Sequence, residues 1–288
     1  MFSLGCAIDD VDCIVDMPAA DIQLAFSELY STPPCREGEP IAPAVDGKIL
    51  QGMLSTMHTA DTVRRVPLIV GWNVHDGNYF IDADVELDGE DMDSDTYDLF
   101  WSHFRGAGFE QERTDAGFDE SAYEAYGFAS AAYMAAESVV TTAMYSCGVH
   151  ALVTPESVDE ENMFVYVFDA TNGEEVFCNH GDELNYILTE PGMEDNGAIA
   201  TNLRTYWTNF AKYKDPNGED ASDPLWTPTT TEDFTILRIQ AEPAMEEWIQ
   251  PERCEYWEAL DNGQWFGSCN DVWWEDSVNK DCDDECDC

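Results

Sequence analysis

Histidine is the side chain most readily protonated and deprotonated near neutral pH, and the chain has five: His58, His75, His103, His150 and His180. Sequence context singles out one of them, together with one acid. His180 lies in CNHGDEL, shortly after an apolar stretch that reads as a strand, and Asp76 lies in GWNVHDGNYF, directly after another. In open α/β sheets the reacting groups gather in loops at the carboxyl ends of parallel strands, so both positions qualify. A carboxylate bonded to an imidazole fixes its tautomer and stabilises the imidazolium, and the imidazole can then act as general base toward a serine hydroxyl. Asp76 precedes His180, which is the order of acid and histidine in α/β-sheet serine hydrolases. The serine is another matter. A strained nucleophile turn needs G-x-S-x-G, and neither that pattern nor an HGGG-type loop of oxyanion donors occurs in the chain.

Several elements can be read around these residues. Ile22, Phe26 and Leu29 have helical spacing within 18–31, after Pro18. Residues 66–72 (VPLIVGW) form a short continuous apolar run, which predicts a buried strand of a parallel sheet. Residues 119–148 are Ala-rich and predict one or two helices, 164–169 (FVYVFD) a second strand, and 195–213 a helix stopped by Asp215-Pro216 and Asn217-Gly218. Residues 234–239 (FTILRI) predict a third strand and 243–260 a final helix. This alternation places the chain in the α/β class.

Charge narrows the partners. Twelve basic against sixty acidic residues give a net charge of −48, which repels phosphate backbones and anionic lipid and argues against nucleic acid as a partner. No apolar run of about 18 residues is present, so no membrane span is expected. The opening MFSLGCAIDDVDC has neither the basic nor the apolar region of a signal peptide. The ten cysteines are even in number and widely spaced, without paired CxxC motifs, which favours disulfides in an oxidising compartment over zinc. No cofactor or metal is expected. Asp84, Glu86, Asp88, Gly89 and Asp95 approach an EF-hand spacing, but Asp91 occupies a normally apolar position, Asp95 replaces the closing Glu, and no good helix precedes them. The segment 82–98 therefore reads as an acidic surface loop.

Four blocks carry a family resemblance. VDGKIL (45–50) with VPLIVGWNVHDGNYF (66–80), VYVFDATNGEEVFCNHGDELNYIL (165–188), YWTNFAKYKDPNG (206–218) with LWTP (225–228), and PERCEYWEAL (251–260) resemble, in order, blocks of the type B carboxylesterases and cholinesterases. The resemblance implies the C-terminal half of an α/β-hydrolase fold over residues 1–261, followed by an acidic, Cys- and Trp-rich tail over 262–288. It implies a serine carboxylic-ester hydrolase acting on a small-molecule ester, with His180 as general base and Asp76, in place of the family's usual Glu, as orienting acid. It also implies disulfides Cys6–Cys13 and Cys147–Cys254, the first of which would lie after the nucleophile turn, so the serine and oxyanion hole are expected upstream and activity of this chain alone is not expected. Family and cysteine usage together imply a secreted protein or one of the secretory lumen. His75, before the acid, departs from the family and reads as an exposed substitution. Pairings of Cys35, Cys178, Cys269, Cys282, Cys286 and Cys288 stay open, and the tail, with Trp265, Phe266, Trp273 and Trp274, suits either a locally stapled terminus or an oligomerisation segment. The alternative function is a non-catalytic, cholinesterase-like adhesion or binding protein.

Overall fold

A computed structural model describes residues 6, 11–30, 47–51, 66–85, 92–105, 110–153, 163–171, 177–188, 197–219, 224–248 and 251–260. The chain divides into two compact units, Met1–Leu50 with Gly267–Cys288, and Gln51–Phe266. The tail 262–288, the centre of the EF-hand-like stretch at 86–91, and His58 lie outside the described residues.

In the first unit, α1 (Val11–Val15) and α2 (Ala19–Tyr30) follow Cys6, which is bonded to Cys13 with a Cα–Cα distance of 5.9 Å. Asp21 in the first turn of α2 places an acid where the helix dipole favours one.

The second unit is built on a sheet in the order β1 (Leu68–Asn73), β2 (Met163–Phe168), β3 (Thr235–Ile239) and β4 (Ala244–Glu247). The pairs β1–β2 and β2–β3 are parallel, and β3–β4 is antiparallel. Strand β2 explains why its sequence is apolar throughout. Phe164, Tyr166 and Phe168 face a core that includes Leu203, Tyr206 and Trp226, while Met163, Val165 and Val167 face another with Trp72, Val149 and Val153. Burial on both faces removes the need for alternation. Strand β1 reads almost as apolar but is only half-buried over Leu68–Gly71, because among the described residues it pairs on one side alone. Gly71 lies opposite Tyr166, and a Cβ there would fall 2.4 Å from the tyrosine ring.

The helices are α3 (Asn78–Val85), α4 (Ser94–Arg105), α5 (Glu110–Asp115), α6 (Ala131–Thr141), α7 (Cys147–Val153), α8 (Leu184–Ile187), α9 (Gly197–Tyr213) and α10 (Pro251–Leu260). A π-helical turn, Thr142–Ser146, joins α6 to α7. The Cys147–Cys254 disulfide ties α7 to α10 across 107 residues, inside a core with Trp101, Phe118 and Trp257.

Three readings change. The stretch 243–260 is not one helix. Ala244–Glu247 pairs with β3, and the helix begins at Pro251, whose fixed φ suits a first helical position. The acidic segment 82–98 is helical at both described ends, in α3 and α4, so a helix does precede the EF-hand-like spacing. The Ala-rich helix starts at Ala131, capped by the Ser130 side chain, and not near 119, where a short 3-10 turn (Glu120–Ala122) precedes an extended stretch. Among the described residues no cluster of His, Cys, Asp and Glu could hold a metal ion, and no helix is long and apolar enough to cross a membrane.

Candidate active site

Asp76 and His180 come from the loops that leave the carboxyl ends of β1 and β2 and are 104 positions apart in the sequence. Parallel pairing of those strands brings them together, and Nδ1 of His180 lies 2.9 Å from Oδ1 of Asp76. A carboxylate can only accept, so Nδ1–H donates and Nε2 is left as the basic nitrogen. The imidazole is half exposed and the acid almost fully buried, with side-chain exposures of 50% and 4%. The backbone N–H of Asn73 donates to the other oxygen of Asp76 at 2.7 Å. Burial pushes the Asp76 pKa up to about 6, against the lowering effect of these two hydrogen bonds, so the acid is ionised above that pH.

Each loop is held by its own residues. Gly77, after the acid, packs so closely on α6 that a Cβ would lie 2.6 Å from the Glu137 carbonyl oxygen. Its N–H donates to Thr141 Oγ1 at 2.7 Å, and the Thr141 hydroxyl donates in turn to the carboxyl of Glu137. Glu137 is fully desolvated, which raises its pKa to about 8 and leaves it protonated at neutral pH. Gly181, after the histidine, has φ +82°, a left-handed conformation that favours glycine. Asn73 Nδ2 donates to the Asn179 carbonyl at 2.6 Å and to Glu183 Oε2 at 2.7 Å, and Asn78 Nδ2 donates to Asn179 Oδ1 at 2.7 Å. These bonds join the two loops on both sides of the Asp76–His180 contact.

Aromatic rings frame the imidazole. Tyr145, on the π-helical turn, lies 4.9 Å from the His180 ring, and Phe80, on α3, meets it edge-on at 5.6 Å. Cys178 is a free, buried thiol that donates to the Phe168 carbonyl, and burial pushes its pKa up to about 12, so it is not a nucleophile.

The structure brings together the two residues that the sequence singled out, Asp76 and His180, and adds Asn73, Glu137, Thr141, Tyr145 and Phe80, which it did not. The GWN and DGNYF residues flanking Asp76 were the only local signal for Asn73 and Phe80. The other three act from a helix some sixty positions away, where sequence alone offers none. His75 is not the exposed substitution expected. It is half-buried between Tyr126 and Phe177, and desolvation lowers its pKa to about 4.

The chain is similar to known proteins in sequence and in fold. The profile described as "Carboxylesterase family" matches residues 3–257. The chain belongs to the carboxylesterase family. It is 30% identical to human bile salt-activated lipase over 92 residues, which is 28% of this chain and 12% of that protein. It is 27% identical to rabbit cocaine esterase over 89 residues, 28% of this chain and 16% of that one. The crystal structure of Aspergillus niger EstA superposes with a TM-score of 0.67 at 17% identity, over 91% of this chain and 54% of EstA, which establishes the α/β-hydrolase fold. The chain thus spans about half the length of that structural relative. The two disulfides formed, Cys6–Cys13 and Cys147–Cys254, are the pairs the resemblance implied.

Proposed function

We propose that this chain provides the acid and base of a serine carboxylic-ester hydrolase. His180 Nε2 takes the proton of a serine hydroxyl as the serine attacks the ester carbonyl, then returns a proton to the leaving alcohol. Water repeats the cycle on the acyl-enzyme. Asp76 holds the imidazole in the tautomer with a free Nε2 and stabilises the imidazolium. The 288 residues contain neither a G-x-S-x-G turn nor an HGGG-type loop, so on this reading the serine and the oxyanion donors are supplied from outside them.

The observation that carries this reading is the 2.9 Å contact between Asp76 Oδ1 and His180 Nδ1, with the imidazole open to a reaction partner. Such a pair, buttressed on both sides, favours an enzyme over a cholinesterase-like adhesion protein, which needs neither group. The net charge of −48 favours neutral or cationic esters over anionic ones in the encounter step. The two disulfides favour an extracellular or secretory-lumen location. The deciding experiment expresses the longest natural product that contains this sequence and measures hydrolysis of p-nitrophenyl butyrate. Activity that is lost in His180→Ala supports the proposal, and a product with no activity toward aryl esters and no labelling by a fluorophosphonate would overturn it.

A further inference from the structure

We propose that His75 is a positioning residue that fastens the His180 loop to the Asp76 loop. The inference rests on the reading of Asp76 and His180 as a working pair, and its geometry is independent of the pair's own hydrogen bond. The backbone N–H of His75 donates to the Cys178 carbonyl at 3.2 Å. In return the Cys178 N–H donates to Nδ1 of the His75 ring at 3.3 Å. One residue next to the acid therefore pairs twice with a residue two positions before the histidine.

Only a side chain that places an acceptor at the Nδ1 position can receive the Cys178 N–H. The ring is fixed there by its neighbours. Tyr126 stacks on it at 5.4 Å with an interplanar angle of 26°, and Phe177 meets its edge at 5.1 Å. Acceptance at Nδ1 puts the proton on Nε2, the same tautomer logic by which Asp76 sets His180 in the opposite sense. Burial supports this by lowering the pKa to about 4, so that the ring is neutral at physiological pH and keeps Nδ1 free to accept. The second imidazole beside the acid thus serves the backbone, not the substrate.

Two substitutions separate the acceptor from the packing. His75→Phe keeps an aromatic ring against Tyr126 and Phe177 but has no acceptor. His75→Asn loses the ring but places Oδ1 where Nδ1 stood. Amide hydrogen exchange in the full 288-residue chain, resolved to Cys178 by mass spectrometry with fragmentation, reads the bond directly. His75→Phe is expected to speed exchange at Cys178 by roughly tenfold or more, while His75→Asn stays within a few-fold of the parent and β2 keeps its protection in both. Unchanged Cys178 exchange in His75→Phe would overturn the proposal, as would faster exchange in His75→Asn with β2 intact, since ring packing would then be what matters. Loss of β2 protection in both variants would also overturn it, because His75 would then hold the sheet and not the loop. No ester is needed for this measurement, so a chain or product without hydrolase activity leaves its outcome readable.

Discussion

At the scale of single residues, the site separates groups by what burial does to them. Asp76, at 3% exposure, keeps its charge above about pH 6 because Asn73 and His180 bond to the anion. In an active full-length product, Asp76→Asn would leave the ring in the wrong tautomer and lower kcat by about 10⁴-fold, and His180→Ala by at least as much, with KM nearly unchanged in steady-state assays. Glu137 behaves in the opposite way, staying protonated until about pH 8 because its burial outweighs the hydrogen bond from Thr141 and the charge of Arg253, both of which favour the anion. The sign follows from that. Between the ordinary 4.5 and about 8 the unfolded chain has released the proton and the folded chain has not, so this residue makes stability fall as pH rises through that window. Glu137→Gln, which keeps the shape without the titration, is expected to flatten that fall when urea midpoints are compared at pH 6 and pH 9.

At the scale of elements, what could be read depended on where the partner lay. Strands β1, β2 and β3 were visible as short apolar runs, most plainly β2, which is buried on both faces, and the carboxyl ends of β1 and β2 drew attention to Asp76 and His180. The four-residue β4 was not, because AMEE has no strand preference of its own and becomes a strand only by antiparallel pairing with β3. Gly77 shows the same dependence. Its sequence context is an ordinary turn, yet its neighbour is the backbone of α6, with Thr141 N 2.8 Å from where a Cβ would sit. Gly77→Ala is expected to cost about 1–3 kcal/mol in chemical denaturation, from overpacking against main chain that cannot yield. Along β1, the side away from β2 has no paired strand among the described residues.

At the scale of the whole molecule, the Cys147–Cys254 bond closes a loop with a sequence separation of 107 and fastens α10 to the helix that follows the π-helical turn. In the chain-entropy account a loop of that size contributes about 4–5 kcal/mol. Replacing both cysteines by alanine is expected to lower the unfolding free energy by several kcal/mol, read from denaturant midpoints under non-reducing conditions. The 288-residue chain by itself is expected to show no hydrolysis of aryl esters above the level of its His180→Ala variant, because the proposed mechanism needs a nucleophile turn that these residues do not contain.

The π-helical turn Thr142–Ser146 puts a constraint on how this part of the molecule can change with descent. Such a turn accommodates one residue more than a regular helix would, leaving the flanking turns in phase. Removing one residue here would leave Thr141 on Gly77 and Cys147 on Cys254, yet take away the bulge that lays Tyr145 on the His180 ring. Across related genes, then, the contact between that tyrosine and the histidine would be gained or lost by a codon inserted or deleted, a change that comparing substitutions column by column would not register.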